Sequence, residues 1–228
     1  MSQPDLVIFD FDGTLVDSEF VAARIEAEMI TQAGYEISPE ELSQLYAGLT
    51  FKDILLRIEE VSSIPFQASL IDQAEELVDK RLRSEVRAIE GAREAIASVT
   101  SKRCICSNSQ ADRIGFIAER TGLAPFFSGH IYSSLDTPSR NPKPAPDVFL
   151  YAAQKMEAAP AKTFVVEDSV HGIAGAKAAG MRVVGFTGAS HSYAGHADVL
   201  TEAGAETVIR RWADFPGVLA ALAEWYDA

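Results

Sequence analysis

The chain has 228 residues, of which 47% are hydrophobic and 23% charged, with 15 glycines and 10 prolines. That profile fits one core, or one core carrying an inserted subdomain, and excludes a disordered or fibrous protein. Acidic residues number 33 against 20 basic ones, a net charge of −13, so nucleic-acid phosphates and anionic membrane surfaces are repelled and neither is an expected partner.

The segment MSQPDLVIFDFDG has no basic leader, and no apolar run approaches the ~20 residues needed to cross a bilayer, so a cytoplasmic protein is expected. The β-branched run Leu6 to Phe9 predicts a first buried strand. About ninety residues then pass before the next strand signal, far more than one crossover helix requires. From Asp17 to Arg83 apolar residues recur at helical spacing (Val21, Ile25, Met29; Ile54, Leu55, Ile58; Leu70, Ala74, Leu77), broken at Gly34, Gly48 and Pro65. An all-helical subdomain over 17–83 is therefore expected, inserted into a core made of 1–16 and 84–228. This insert carries 14 acidic and 6 basic residues, so it cannot draw in an anionic substrate by its net field.

Beyond it, the runs Cys104 to Cys106, His130 to Tyr132, Thr163 to Val166, Arg182 to Phe186 and Thr207 to Ile209 predict buried strands. Helical patterns at Ala111 to Gly122, Pro146 to Ala158, Val170 to Ala179 and Ala213 to Tyr226 alternate with them. The expected fold class is α/β, a Rossmann-like parallel sheet with helices on both faces. Cys104 and Cys106 fall on one face of their strand, with no distant cysteine to pair with, as expected of buried thiols in a reducing compartment.

Ligands of an open parallel sheet bind beyond the carboxyl ends of its strands. Polar groups stand at four such places: Asp10-Phe11-Asp12-Gly13-Thr14, Ser107-Asn108-Ser109, Asn141-Pro142-Lys143-Pro144 and Glu167-Asp168-Ser169. Asp10 and Asp12 sit two apart after an apolar strand, and like charges so placed repel one another unless a cation or phosphate is bound between them. Glu167 and Asp168 repeat the pattern. Two acidic pairs on one rim point to a hard-cation and phosphate site, because magnesium takes oxygen ligands and binds through a few carboxylates plus substrate phosphate. Asp17, Ser18 and Asp147 read as helix caps. Ser107 and Asn108 suit either a cap of the helix near Gln110 or the site. Lys143 is either a solvated loop charge or an ammonium held by its flanking prolines for a phosphoryl group. His130, His171, His191 and His196 show no ligand spacing and read as ordinary histidines, while Gly13, Gly172 and Gly175 read as backbone-conformation residues.

In order and long-range spacing, these residues resemble the helical-cap branch of the haloacid dehalogenase superfamily of phosphatases and phosphomutases. Asp10-Phe-Asp-Gly-Thr-Leu-Val-Asp17 is similar to its first motif, Ser107 in Ile-Cys-Ser-Asn-Ser to its second, Lys143 in Lys-Pro-Ala-Pro-Asp to its third, and Val-Val-Glu167-Asp168-Ser169-Val-His-Gly172 to its fourth. The resemblance implies that Asp10 is the nucleophile, giving an aspartyl-phosphate, and that Asp12 protonates the leaving alkoxide and then activates water. It further implies that Asp10, the Asp12 carbonyl and Asp168 hold magnesium with Glu167 in support, that Ser107 and Asn108 grip phosphate oxygens, and that Lys143 neutralises Asp10 and the transferring group.

Asp12 sets the chain apart from the dehalogenases, which lack that carboxylate. Phe51, three residues after Gly48, stands where phosphonate hydrolases carry a lysine and mutases an arginine, and Ala47 stands where mutases tend to carry a basic residue. The resemblance thus implies a magnesium-dependent phosphatase for a small phosphorylated metabolite of the sugar or sugar-acid class, with Thr50 and Lys52 of the cap near the substrate. A sugar-phosphate mutase is the alternative enzyme, and a phosphoacceptor signalling module the alternative of another class.

Overall fold

The computed structural model describes residues 3–46 and 49–224. In chain order the elements are β1 (Leu6–Phe9), α1 (Ser18–Gln32), α2 (Pro39–Leu45), α3 (Phe51–Ser62), α4 (Ser69–Glu85), α5 (Ala92–Ser98), β2 (Lys102–Ser107), α6 (Ala111–Thr121), α7 (Ala124–Phe127), β3 (Ile131–Ser133), α8 (Asp147–Lys155), β4 (Thr163–Glu167), α9 (Val170–Ala178), β5 (Arg182–Phe186), α10 (His196–Glu202), β6 (Thr207–Ile209) and α11 (Phe215–Glu224). The six strands form one parallel sheet in the order β3-β2-β1-β4-β5-β6. The α/β expectation is met, and β1 lies at the point where the chain's path reverses across the sheet, the place where open sheets bind ligands.

Alternation along the strands sends neighbouring residues to opposite layers. Val7 and Phe9 join Ile105, Val166, Phe186, Trp212 and Phe215 on one face, while Leu6 and Ile8 join Cys104, Cys106, Phe149, Val165 and Ile173 on the other. Both cysteines are buried and unpaired. A third, smaller cluster is internal to α1, α2 and α3, built from Ala27, Ile30, Leu42, Ile54, Leu55 and Ile58. Two adjacent stretches of chain join this helical segment to the sheet. Val16 bridges Ala88 in antiparallel fashion, the Asp17 amide donates to the Arg87 carbonyl (3.0 Å), and the Ile89 amide donates to the Leu15 carbonyl (2.9 Å).

Some expected boundaries shift for local reasons. Strand β2 begins two residues early, at Lys102, because its charged side chains discharge onto carbonyls: Lys102 Nζ onto Met156 (2.7 Å), and Arg103 onto Phe126 (2.7 Å) and Val99 (2.6 Å). Helix α8 stops at Lys155, and Glu157 beyond it adopts a left-handed φ of 50°. Helices α2, α5, α7 and α10 are too short for periodicity to reveal. Helix α2 is instead marked by a capping box, in which the Ser38 hydroxyl accepts the Glu41 amide and Glu41 accepts the Ser38 amide (2.9 Å).

Candidate active site

The carboxyl ends of β1 and β4 and the loop before α8 bring four charged side chains into one buried cluster beside the end of β2. Lys143, from the loop before α8, donates its three ammonium protons to Asp10 Oδ1 (2.6 Å), Glu167 Oε1 (2.6 Å) and the Cys106 carbonyl (2.8 Å). Its side chain is 4% exposed, so the solvated-loop alternative does not hold. Burial acts to lower the Lys143 pKa, but attraction to Asp10 and Glu167 outweighs it, and the ammonium stays charged beyond its ordinary range. Burial, then repulsion from Glu167, raises the Asp10 carboxyl well above its usual value despite Lys143. Glu167 is raised by burial as well.

Asp10, Glu167 and Asp168 converge so that one oxygen of each lies within 4.8 Å of the others. Three carboxylates face one ammonium and, at Asp168 Oδ2, the His191 ring, so acidic oxygens remain in excess and a further cation is the natural complement of this donor set. All-oxygen donors suit a hard divalent ion. Within the set Glu167 is already engaged, for Oε1 accepts from Lys143 while Oε2 accepts from the Ser169 hydroxyl (3.0 Å) and amide (3.3 Å).

Asp12 stands on the same rim and is held by hydroxyls. Ser18 donates to Oδ1 (2.7 Å), and Ser109 (2.7 Å) and Ser107 (3.2 Å) donate to Oδ2. The Ser107 hydroxyl also accepts the Ser109 amide (2.9 Å). The Asn108 side chain holds the third-motif loop, since Oδ1 accepts the Lys143 amide (2.9 Å) and Nδ2 donates to the Lys143 carbonyl (3.4 Å). Helix α6 has Gln110 at its N-cap and no side-chain cap bond, so Ser107 and Asn108 serve the rim and not that helix. Thr14 donates to Asp168 Oδ1 (3.2 Å).

Two glycines permit this packing. A Cβ on Gly13, whose φ is +74°, would overlap Asp168 Oδ2, and one on Gly172 would overlap the Glu167 carboxylate. The fourth-motif carboxylates thus lie directly on glycine backbone, which sequence reasoning took for conformation alone.

Three capping expectations are corrected. Asp17 occupies the N-cap position of α1 without a cap bond and instead accepts the Ser190 amide (3.1 Å) and hydroxyl. Ser18 orients Asp12, and Asp147 accepts from Asn141 Nδ2 (3.3 Å). Thr50, expected near substrate, is itself the cap of α3, accepting the Asp53 amide (3.2 Å) and donating to Asp53 Oδ2 (2.7 Å). Lys52 is exposed on the first turn of α3. Ala47 and Gly48 lie outside the described residues.

The histidines divide. His130 and His171 are exposed, as expected of ordinary histidines, but His191 Nε2 lies 3.0 Å from Asp168 Oδ2 and His196 Nε2 lies 2.9 Å from the Asp168 carbonyl. Burial acts to lower the His191 pKa, yet Asp168, Glu19 and Asp17 lift it to about 9. Both histidines follow β5, where no ligand spacing announces them. The only available signal was their place after a strand's carboxyl end.

A family model of haloacid dehalogenase-like hydrolases matches residues 4–180. The 6-phosphogluconate phosphatase of Escherichia coli K12 is 30% identical over 195 residues, covering 84% of this chain and 86% of that protein. A phosphorylated carbohydrates phosphatase of Thermotoga maritima is 28% identical over 214 residues, covering 90% and 94%. The crystal structure of a haloacid dehalogenase-like protein of unknown function from Agrobacterium tumefaciens C58 superposes with a TM-score of 0.93 at 53% identity, covering 96% of this chain and 99% of that one. The chain belongs to the haloacid dehalogenase-like hydrolase family. It is an enzyme of that family, a phosphoric monoester hydrolase.

Proposed function

We propose that the chain is a magnesium-dependent phosphatase for a small sugar or sugar-acid monophosphate, acting through an aspartyl-phosphate on Asp10. The observation that carries this reading is the cluster in which Lys143 bonds Asp10 and Glu167 at 2.6 Å each while Asp168 adds a third carboxylate. Asp10, Asp168 and the Asp12 carbonyl would hold magnesium, with Glu167 behind them. Once bound, the ion would supply charge neutralisation for the transferring phosphoryl group.

In the first step an Asp10 oxygen forms a bond to phosphorus as the bond to the leaving alkoxide breaks. Lys143 holds Asp10 in place and compensates charge on the phosphoryl oxygens. Asp12 gives its proton to the leaving oxygen, then takes one from water as that water attacks the aspartyl-phosphate, restoring Asp10. The Ser107 hydroxyl rotates from Asp12 to a phosphate oxygen, and Asn108 keeps Lys143 in register.

The helical segment 17–83 serves as the cap over this rim, with Lys52 offered to the leaving group. Phe51 and Ala47 leave that segment without the basic pair a second phosphate requires, which favours hydrolysis over mutase chemistry. The names of the relatives from Escherichia coli and Thermotoga maritima support the carbohydrate class. No helix among the described residues is long and apolar enough to cross a membrane, and the two unpaired thiols favour a cytoplasmic setting. A panel of phosphorylated metabolites assayed with magnesium and after chelation tests this reading. Phosphate release restored by magnesium is expected. Conversion of a hexose 1-phosphate, primed by a bisphosphate, to the 6-phosphate without free phosphate would overturn it.

A further inference from the structure

Residues 187–196, from the loop after β5 to the first residue of α10, are tied to the first and fourth motifs at three points. Asp17 accepts both the amide and the hydroxyl of Ser190. His191 Nε2 meets Asp168 Oδ2 at 3.0 Å, and the Gly13 backbone leaves room for the ring, since a Cβ there would stand 2.7 Å from His191 Cε1. At the end of the segment His196 Nε2 donates to the Asp168 carbonyl (2.9 Å), its ring stacked on Tyr193 (centroids 4.7 Å apart, 16° between planes) and its Nδ1 3.1 Å from the Ser192 hydroxyl. Asp168 is therefore gripped by backbone and side chain from one loop, while Thr14 donates to its other oxygen.

We infer that His191 is a positioning residue for the metal ligand Asp168, and that the 187–195 loop is the scaffold that presents it. The inference rests on the magnesium site proposed above. A carboxylate oxygen has two lone pairs, so an N–H donor can fix its direction while leaving a lone pair for a cation. Without that donor Asp168 is free to rotate within the acidic cluster, and ligands lacking their orienting partner typically lose 10- to 100-fold in metal affinity. His191 Nδ1 has no hydrogen-bond partner among the described residues, so the ring's polar contact there is the one with Asp168. Sequence spacing hides this role because His191 and Asp168 stand 23 residues apart and are brought together by the fold and not by a motif.

The test is calorimetric titration of magnesium into chelator-stripped protein, in the absence of substrate, for the wild type, His191→Leu and His191→Gln. Leucine keeps much of the volume and removes the donor, whereas the glutamine amide can restore an N–H near the place of Nε2. The expected result is binding to the wild type, about 10- to 100-fold weaker binding to His191→Leu, and recovery of most of that loss in His191→Gln. Ser190→Ala, which removes the hydroxyl bond to Asp17 and keeps the amide bond, loosens the loop without altering His191 or Asp168; it should weaken binding in the same direction by a smaller factor, and it stands in for His191→Leu should that variant fail to fold. Unchanged or tighter magnesium binding in His191→Leu, or equal losses in the leucine and glutamine variants, would overturn the inference alone. No magnesium binding to the wild type would instead overturn the metal reading, and the inference with it.

Discussion

The rim of the sheet and the helical segment above it are built on opposite principles. At the rim, charged side chains are buried or, for Asp12, half-buried, and each is held by several partners: Lys143 by three acceptors, Asp12 by three hydroxyls, Glu167 by Lys143 and Ser169. Helices α1 to α3 share a modest apolar cluster, and apart from Ser18, which reaches Asp12, and the half-buried Glu26, most of their polar residues face water or cap their own helices, as Thr50 and Ser38 do. Chemistry that must be the same for any phosphate monoester is thus fixed by a dense network, while the helical segment, which we propose as the surface offered to a leaving group, is loosely determined. A substitution at the rim should therefore act on turnover or folding, and one on the helices on ranking and affinity.

The sharpest break in that comparison is Asp10→Asn. It should abolish phosphate release, with a loss on the order of 10⁴-fold or more for removal of a nucleophile. It should leave the melting temperature unchanged or raised, because burial and Glu167 already disfavour the charged form of Asp10. Next in size is Lys143→Ala, which strands Asp10 and Glu167 without their buried cation. A loss of about 3–5 kcal/mol is expected for such a broken pair, read from denaturant midpoints. By contrast Lys52→Ala, on the exposed first turn of α3, should change stability by about 0.5 kcal/mol or less. It should alter the substrate ranking about fivefold or less, in KM more than in kcat. Equal stability losses in the two lysine variants would erase the distinction between the regions.

A further effect concerns pH. Burial and the neighbouring Glu19 raise the half-buried Glu26 of α1 from 4.5 to about 7. A raised acid binds more protons folded than unfolded between those values, so stability falls as pH rises from about 4.5 to about 7, and the full cost is present above. Glu26→Gln should accordingly melt higher than the wild type near about pH 8 and equally near about pH 4. An equal melting temperature at the higher pH would contradict it.

Much of this architecture was legible in the residues. Unbroken apolar runs such as Leu6 to Phe9 mark strands buried on both faces, and the long gap after Phe9 announced the inserted helices. Asp10, Lys143, Glu167 and Asp168 were readable because each follows or precedes a strand or helix signal and because their order matches a family pattern. What stayed hidden was recognition between side chains far apart in the chain. Nothing in Asp17 or Ser18 reveals that one would bond Ser190 and the other Asp12 in place of capping α1. His191 and His196 looked ordinary because their partner, Asp168, is 23 and 28 residues away and is reached only through the β4 to β5 crossover. Thr50 carries a role that its place before a helix does announce, for it caps α3.

The central claim is that Asp10 carries the phosphoryl group and that Asp12 serves both proton transfers. Asp12→Asn should slow turnover about 10²- to 10⁴-fold, most with poor leaving groups. With a good leaving group it should still form the aspartyl-phosphate but hydrolyse it slowly. The most direct measurement is acid quenching of Asp12→Asn during reaction with an activated monophosphate and magnesium, followed by intact-mass and peptide analysis. The account expects one phosphoryl group per chain, labile to hydroxylamine and mapped to Asp10. A quenched protein with no phosphoryl group while phosphate is being released, or one phosphorylated at another residue, would contradict it.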